Sequence, residues 1–246
     1  MRALARKLKH FVLNKLYPAR KSGSELQFWK DELVRYEQWY LGELPFLYKT
    51  QSPKQGEKVA GPNLRVASVL TWHRLHQERK YLSDLELGRD SFAGRRVLDV
   101  GSGPIPSATC FSDAELYCLD PLLPQYVKAG FPFDCYGNVH FVAGCSEKMP
   151  LEDAFFDAVI AVNSIDHVDN IKKTAIEIQR VLKPGALLRL HVHYHRSTIT
   201  EPLELNDRKI QDLFSWCPNF RKIAERFENF GGALPPDEKF VVWGNF

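Results

Sequence analysis

No stretch of about 18 consecutive apolar residues occurs in the 246-residue chain, so no segment reads as a membrane-spanning helix. The longest apolar runs, such as residues 158–162, have the length of a strand. Cysteine is sparse and odd in number: five residues, at 110, 118, 135, 145 and 217, with no CxxC pair. That argues against a disulfide framework or a cysteine-ligated zinc site and for a reducing compartment. Internal repeats and low-complexity segments are absent. A composition of 44% hydrophobic and 26% charged residues excludes disorder, collagen and coiled coil as descriptions of the whole chain. The length suits one large α/β domain, or one domain with an added segment.

Acidic residues are missing from residues 1–21, which hold seven basic ones (Arg2, Arg6, Lys7, Lys9, Lys15, Arg20, Lys21). The remainder holds 26 basic against 30 acidic residues, a net of −4, so the basic character belongs to one end. Leu4, Leu8, Phe11, Val12 and Leu16 recur at helical spacing and predict an amphipathic helix over 2–16. This stretch has neither the apolar core nor the small-residue cleavage site of a secretory signal. Packing on its own domain is the plain expectation for it. Peripheral contact with an anionic membrane at the inner face of the cytoplasmic compartment is the functional one. Nucleic acid is not expected as a partner. Ser22-Gly23-Ser24 punctuates, Ser24 and Gln27 form a capping-box pattern, and a helix is predicted over 24–42 with Leu26, Trp29, Leu33, Tyr36 and Tyr40 as its stripe. After a loop over 44–62, Asn63 caps a third helix over 63–87, stopped by Gly88. Residues 1–90 read as a helical extension and 91–246 as the principal domain.

From Arg95 the period changes. Apolar runs at Arg96–Val100, Glu115–Asp120, Val139–Ala143, Phe156–Val162 and 187–193 are separated by helical or loop segments, one of them with Ile171, Ala175, Ile178, Val181 and Leu182 as its apolar face. Strands alternating with helices predict a doubly wound, mostly parallel sheet. The runs at 220–227 and 239–246 read as a closing pair of strands, one of them antiparallel.

The strongest chemical signal is Arg96-Val-Leu-Asp-Val-Gly-Ser-Gly-Pro104, a strand ending in an acid and a glycine turn. Gly101 and Gly103 permit close backbone approach by a nucleotide-like ligand at the strand's carboxyl end. Asp120 ends the next strand, where a carboxylate accepts from both hydroxyls of a ribose. A dinucleotide fingerprint needs a small residue at position 106, and Pro106 argues against a nicotinamide cofactor.

Here the chain resembles the class I S-adenosylmethionine (SAM)-dependent methyltransferases, a broad group whose core reads strand-acid-x-G-x-G. The resemblance continues through Gly144-Cys-Ser-Glu-Lys-Met-Pro150 and on to Phe156-Asp157, through the strand that ends near Asp166-His167-Val168, and through Arg180-Val-Leu-Lys-Pro-Gly185. It covers residues 95 to about 190 and implies a Rossmann-like, seven-stranded methyltransferase sheet with SAM as cofactor. It further implies that Gly101 and Gly103 face the methionine part, Asp99 orients its amino group and Asp120 holds the ribose. Cys145, Ser146 and Glu147 edge the adenine, and Ser102, Pro121 and Asn163 complete the cofactor-binding set. Cys145 stands where an Asp often accepts from the adenine amino group, and sulfur is a poor acceptor.

For catalysis, His167 at the end of the fourth strand is the expected general base, with Asp166 as orienting partner. Packing is the plain alternative. His193 ranks second and His195 third. His191, His193 and His195 share one strand face. Such spacing is compatible with a metal, but with His191 expected inside the sheet none is assigned. Ser164-Ile165 replace the prolines of the N-P-P-Y pattern of amino-directed nucleic-acid enzymes. The expected activity is therefore O-methylation of a small molecule or glycan hydroxyl. A SAM-binding regulatory or scaffold domain without turnover is the alternative.

Overall fold

The computed structural model describes residues 2–44, 46–229 and 232–245, with side chains from residue 21 onward except that of residue 229. Seven strands form the main sheet: β1 (Arg96–Val100), β2 (Glu115–Asp120), β3 (Val139–Ala143), β4 (Phe156–Val162), β5 (Leu182–Tyr194), β6 (Arg221–Arg226) and β7 (Lys239–Gly244). Their order is β3-β2-β1-β4-β5-β7-β6. β1 to β5 run parallel, and β7 is antiparallel to both β5 and β6. The expected doubly wound, mostly parallel architecture is borne out, with the glycine turn on an interior strand. The chain winds outward from β1 through β2 to β3, then returns to β4 on the other side. The carboxyl ends of β1 and β4 therefore flank a topological switch point, where such sheets bind ligands.

The strands are apolar because helices cover both faces. On one face α4 (Ile171–Val181) buries Ala175, Ile178 and Val181 against Val159, Leu188 and Leu190. Asn170 caps α4 by accepting from Lys173 N–H at 3.1 Å. Arg180 donates to the carbonyls of Leu151 (2.8 Å) and Met149 (3.0 Å) and pairs with Glu177 and Asp153, fixing the segment that follows β3. Helix α5 (Asp207–Leu213) packs Ile210 into the same core. β5 begins at Leu182, earlier than the predicted 187, so Lys183-Pro184-Gly185 lies inside the strand as an irregularity rather than between helix and strand.

The N-terminal part departs from expectation more clearly. Helix α1 runs unbroken over Arg2–Leu41, where separate helices over 2–16 and 24–42 were predicted. Glycine and serine cost a helix interior at most about 1 kcal/mol each, and a helix anchored by buried Leu33, Tyr36 and Trp39 tolerates that. The side chains of the basic stretch 2–20 lie outside the described residues, so its predicted apolar and basic faces are not placed. Among the described residues no helix is long and apolar enough to cross a membrane. Gly42, at φ +83°, closes α1: its N–H reaches Trp39 O at 3.1 Å and Glu43 N–H reaches Gln38 O at 2.9 Å, a Schellman ending.

Helix α2 (Leu64–Trp72) starts where predicted, with the Asn63 carbonyl accepting from Val66 N–H at 3.0 Å. Its continuation changes to π-type hydrogen bonding over His73–Gln77 and Lys80–Asp84. α1, α2 and α3 (Leu123–Lys128) share an aromatic cluster in which Trp72 stacks on Tyr36 (4.8 Å) and meets Trp39 edge-on (5.4 Å). The half of α1 beyond residue 25 is thereby part of the folded core. Trp39, fully buried, is expected to cost about 3–5 kcal/mol when cut to Ala; a denaturant midpoint close to wild type would show that α1 is dispensable for stability.

Candidate active site

At the end of β1 the chain must turn under two neighbouring segments. Gly101 sits at φ +70°, and its N–H reaches Leu119 O at 2.8 Å. A Cβ there would lie 2.5 Å from the Cβ of Ser164, whose hydroxyl donates to Val100 O at 2.6 Å, so only glycine fits beneath the end of β4. Gly103, at φ +62°, donates its N–H to Asp120 Oδ2 at 3.0 Å. The other oxygen, Oδ1, accepts from Leu122 N–H at 2.8 Å. Each oxygen retains a lone pair for a further donor. Burial pushes the Asp120 carboxyl up to about 6, against the two N–H groups.

Asp99 is nearly inaccessible. Tyr81 donates to its Oδ2 at 2.9 Å, while Oδ1 is buried without a hydrogen-bond partner. Burial raises its pKa from 3.8 to about 7, with the nearby Asp120 adding to the shift. The remaining residues of the expected cofactor set are placed as follows. Ser102 is buried, with its hydroxyl near Gly103 O (3.4 Å). Pro121 is exposed beside Asp120. Asn163 takes a left-handed conformation (φ +51°), its N–H bonded to His191 O at 2.7 Å and its Oδ1 buried and unpartnered. Cys145 is exposed. The Ser146 hydroxyl is committed to Thr174 (3.0 Å), and Glu147 accepts from the N–H groups of Asp169 and Asn170.

A second cluster gathers where β4 and β5 end. Asp166, wholly buried, lies against His195 Nε2 at 3.2 Å, with its Oδ1 unpartnered. His167 Nε2 lies 3.5 Å and His193 Nδ1 3.8 Å from Glu201 Oε1. His193 Nε2 lies 3.2 Å from Glu238 Oε2. The predicted pairing of Asp166 with His167 is therefore not what forms: Asp166 serves His195, and Glu201 serves His167. Neighbours in sequence at a strand end point apart, so adjacency was the wrong guide. Burial works against the charged form of His167, but Glu201, Asp166 and Glu25 together raise its pKa above the ordinary value. His195 is raised to about 9 by Asp166. His193 and His167 hold Glu201 below the usual carboxylate range. His191 is inside the sheet, as predicted, and burial keeps it neutral, at about 3.

Residues 98–190 match a family model described as a methyltransferase domain. The sterol 24-C-methyltransferase ERG6B of Gibberella zeae is 32% identical over 124 residues, 48% of this chain and 32% of that protein. The O-methyltransferase rstn1 of Aspergillus nomiae is 29% identical over 154 residues, 59% of each. The chain thus spans 32% and 59% of the lengths of these two relatives. The crystal structure of YcgJ from Bacillus subtilis shares the fold, with a TM-score of 0.53 at 18% identity, over 68% of this chain and 96% of that one. Residues 98–190 thus carry the sequence pattern of a methyltransferase domain, on a fold that YcgJ shares.

Four residues around the site were not singled out from sequence. Trp29 of α1 roofs the glycine turn, its ring 3.4 Å from where a Gly103 Cβ would stand. Glu25, one helical turn earlier, feels the charges of His167, Glu201 and Asp166, and burial raises its pKa. Lys21 ties the same helix to Asp169 at 2.8 Å. Tyr81 comes from a π-type stretch. Glu25 and Lys21 carried one faint signal: charges four residues apart beside an apolar stripe.

The Asp99 carboxyl supplies a stability test. Its folded pKa of about 7 lies above the ordinary 3.8, so the folded state holds the proton more tightly. Its contribution is complete below about pH 4 and is lost as pH rises through about 7. Asp99→Asn, permanently neutral, should melt like wild type at pH 4 and several degrees higher at pH 8, given roughly 2–4 °C per kcal/mol for a chain of this size. Parallel melting curves across that range would mean that Asp99 ionises freely.

Proposed function

We propose that this chain binds SAM and transfers its methyl group to a hydroxyl of a small polar molecule or glycan. The observation that carries the reading is the junction of the two clusters. The Gly101–Gly103 cradle, with carboxylates on either side, adjoins an imidazole–carboxylate group at the ends of β4 and β5. The cradle fits SAM on its own terms: the orphaned Asp99 Oδ1 is a buried acceptor awaiting a donor such as an amino group, and Asp120 keeps lone pairs for a diol. When bound, SAM supplies an electrophilic methyl whose bond to sulfur breaks as the bond to the acceptor oxygen forms.

The protein's part is positioning and proton removal. Asp99 and Asp120 orient the cofactor. Trp29 and Glu25 roof the site and exclude water, which strengthens the electrostatics beneath. His167 Nε2 takes the acceptor's proton, and Glu201 stabilises the resulting imidazolium. A cluster of three imidazoles and several carboxylates suits a polar acceptor. It favours oxygen over the carbon acceptor named for the sterol relative, in line with the O-methyltransferase relative.

Asp120→Ala should weaken binding of S-adenosylhomocysteine by about 1–3 kcal/mol, the scale of hydrogen bonds to a charged group, by isothermal titration. His167→Ala should leave that affinity nearly intact and lower isotopic methyl transfer on the order of 10²-fold. Tight binding with no transfer to any hydroxyl acceptor would favour a regulatory SAM-binding domain. Near wild-type transfer by His167→Ala would make His167 structural.

A further inference from the structure

We propose that Asp166, His193, His195 and Glu201 form a site for a divalent transition-metal cation, which holds and polarises the oxygen of the methyl acceptor. One ligand atom from each of the four lies within 4.8 Å of all the others. Donors at about 2.0–2.2 Å around one ion are separated by roughly 2.8–3.6 Å, from adjacent octahedral to tetrahedral positions. The 3.2 Å between His195 Nε2 and Asp166 Oδ2 lies within that range, and the 3.8 Å between His193 Nδ1 and Glu201 Oε1 lies slightly above it.

The tautomers point the same way. His195 Nδ1 lies 2.6 Å from Arg196 O, and a carbonyl only accepts, so Nδ1 carries the hydrogen. In the neutral ring Nε2 then presents a lone pair directly to the Asp166 carboxylate. Two lone pairs 3.2 Å apart need a positive centre, either a proton on Nε2 or a cation beside it. His193 also stands between two carboxylates: Nε2 lies 3.2 Å from Glu238 Oε2 without a hydrogen bond, and Nδ1 lies 3.8 Å from Glu201 Oε1. His195, which donates one N–H to a carbonyl and turns its other nitrogen inward, has the outer-shell arrangement of a metal ligand. The unpartnered Oδ1 of Asp166, a wholly buried side chain, offers one more donor atom.

Charge supports a dication. Among the described residues the cluster gathers the carboxylates of Asp166, Glu201 and Glu238, with Glu25 close by. The nearby Lys21 is paired with Asp169. Two nitrogens and two carboxylate oxygens suit Zn²⁺, Fe²⁺ or Mn²⁺ better than Mg²⁺ or Ca²⁺, which favour all-oxygen shells. Four protein donors leave open positions on a five- or six-coordinate ion, and an acceptor oxygen bound there would have a lowered pKa.

The metal site stands on its own donors, whereas its role toward the acceptor rests on the methyl-transfer reading. The two are separated by measuring both ligands on one chelator-treated sample of the full chain. Zn²⁺ titrated by calorimetry should bind at one equivalent, and Co²⁺ should give visible bands without a thiolate charge-transfer band. His193→Ala and Glu201→Gln should each weaken Zn²⁺ at least 30-fold with unchanged far-ultraviolet circular dichroism. Glu201 sits on a half-exposed loop, so its variant keeps the test open if the histidine variant misfolds. Absence of Zn²⁺ and Co²⁺ binding to folded wild type, a thiolate band, or full affinity in Glu201→Gln would overturn the site. Failure of S-adenosylhomocysteine to bind the same sample would instead overturn the methyl-transfer reading and leave the metal result standing.

Discussion

The carboxylate of Asp120 holds two backbone turns at once. One oxygen takes Gly103 N–H from the turn after β1, and the other takes Leu122 N–H from its own turn after β2. Because β1 and β2 are parallel neighbours, both turns emerge at the same edge of the sheet, and this bridge sets their separation. Gly101 adds a second tie, its N–H on Leu119 O. The glycine turn is held open by hydrogen bonds made before any ligand arrives, so a ligand meets a preformed surface and spends little on ordering it. The same carboxylate sits in a buried place that favours its protonated form, which ties the site's shape to the site's charge.

That charge is the second constraint. Asp99, Asp120, Glu25, Asp166 and Glu201 converge on one side of the sheet, and burial raises three of them. A fold selected only for stability would place apolar groups there, since unpaired buried charge is costly. Unpartnered Asp99 Oδ1, Asn163 Oδ1 and Asp166 Oδ1 mark where that cost has not been offset within the protein. These three lie at the ends of β1 and β4, whereas Tyr126 Oη, Tyr136 Oη and Trp216 Nε1 are buried without a hydrogen-bond partner elsewhere. What sets the three apart is that all are acceptors gathered beside the glycine turn, where a donor or cation from outside can reach them.

Much of this was legible in the sequence. The glycine turn, Asp120 at the end of β2 and the apolar stripe of α4 follow from local rules, because strand ends, turns and amphipathic faces are set by residues close in the chain. The Asn63 cap is local in the same way. What could not be read was set by distance. Ser22-Gly23-Ser24 looks like a break, yet tertiary packing around Tyr36 and Trp39 stabilises one continuous helix. Trp29 reads as one more stripe residue, and only the fold lays it over Gly103. The pairing of Asp166 with His195, 29 positions away, was hidden behind the more obvious neighbour His167.

The placement of α1 then links stability to access. Its second half is welded into the aromatic cluster through Tyr36 and Trp39. About two to five turns earlier, the same helix presents Trp29, Glu25 and Lys21 to the site. Leu26, Trp29 and Leu33 carry that packing along the helix toward the site, and Lys21 adds a partly exposed ion pair with Asp169, on the scale of about 1 kcal/mol or less. The packing that stabilises α1 is therefore the same packing that keeps Trp29 over the glycine turn, so the roof of the site and the core around Trp39 are one structural unit.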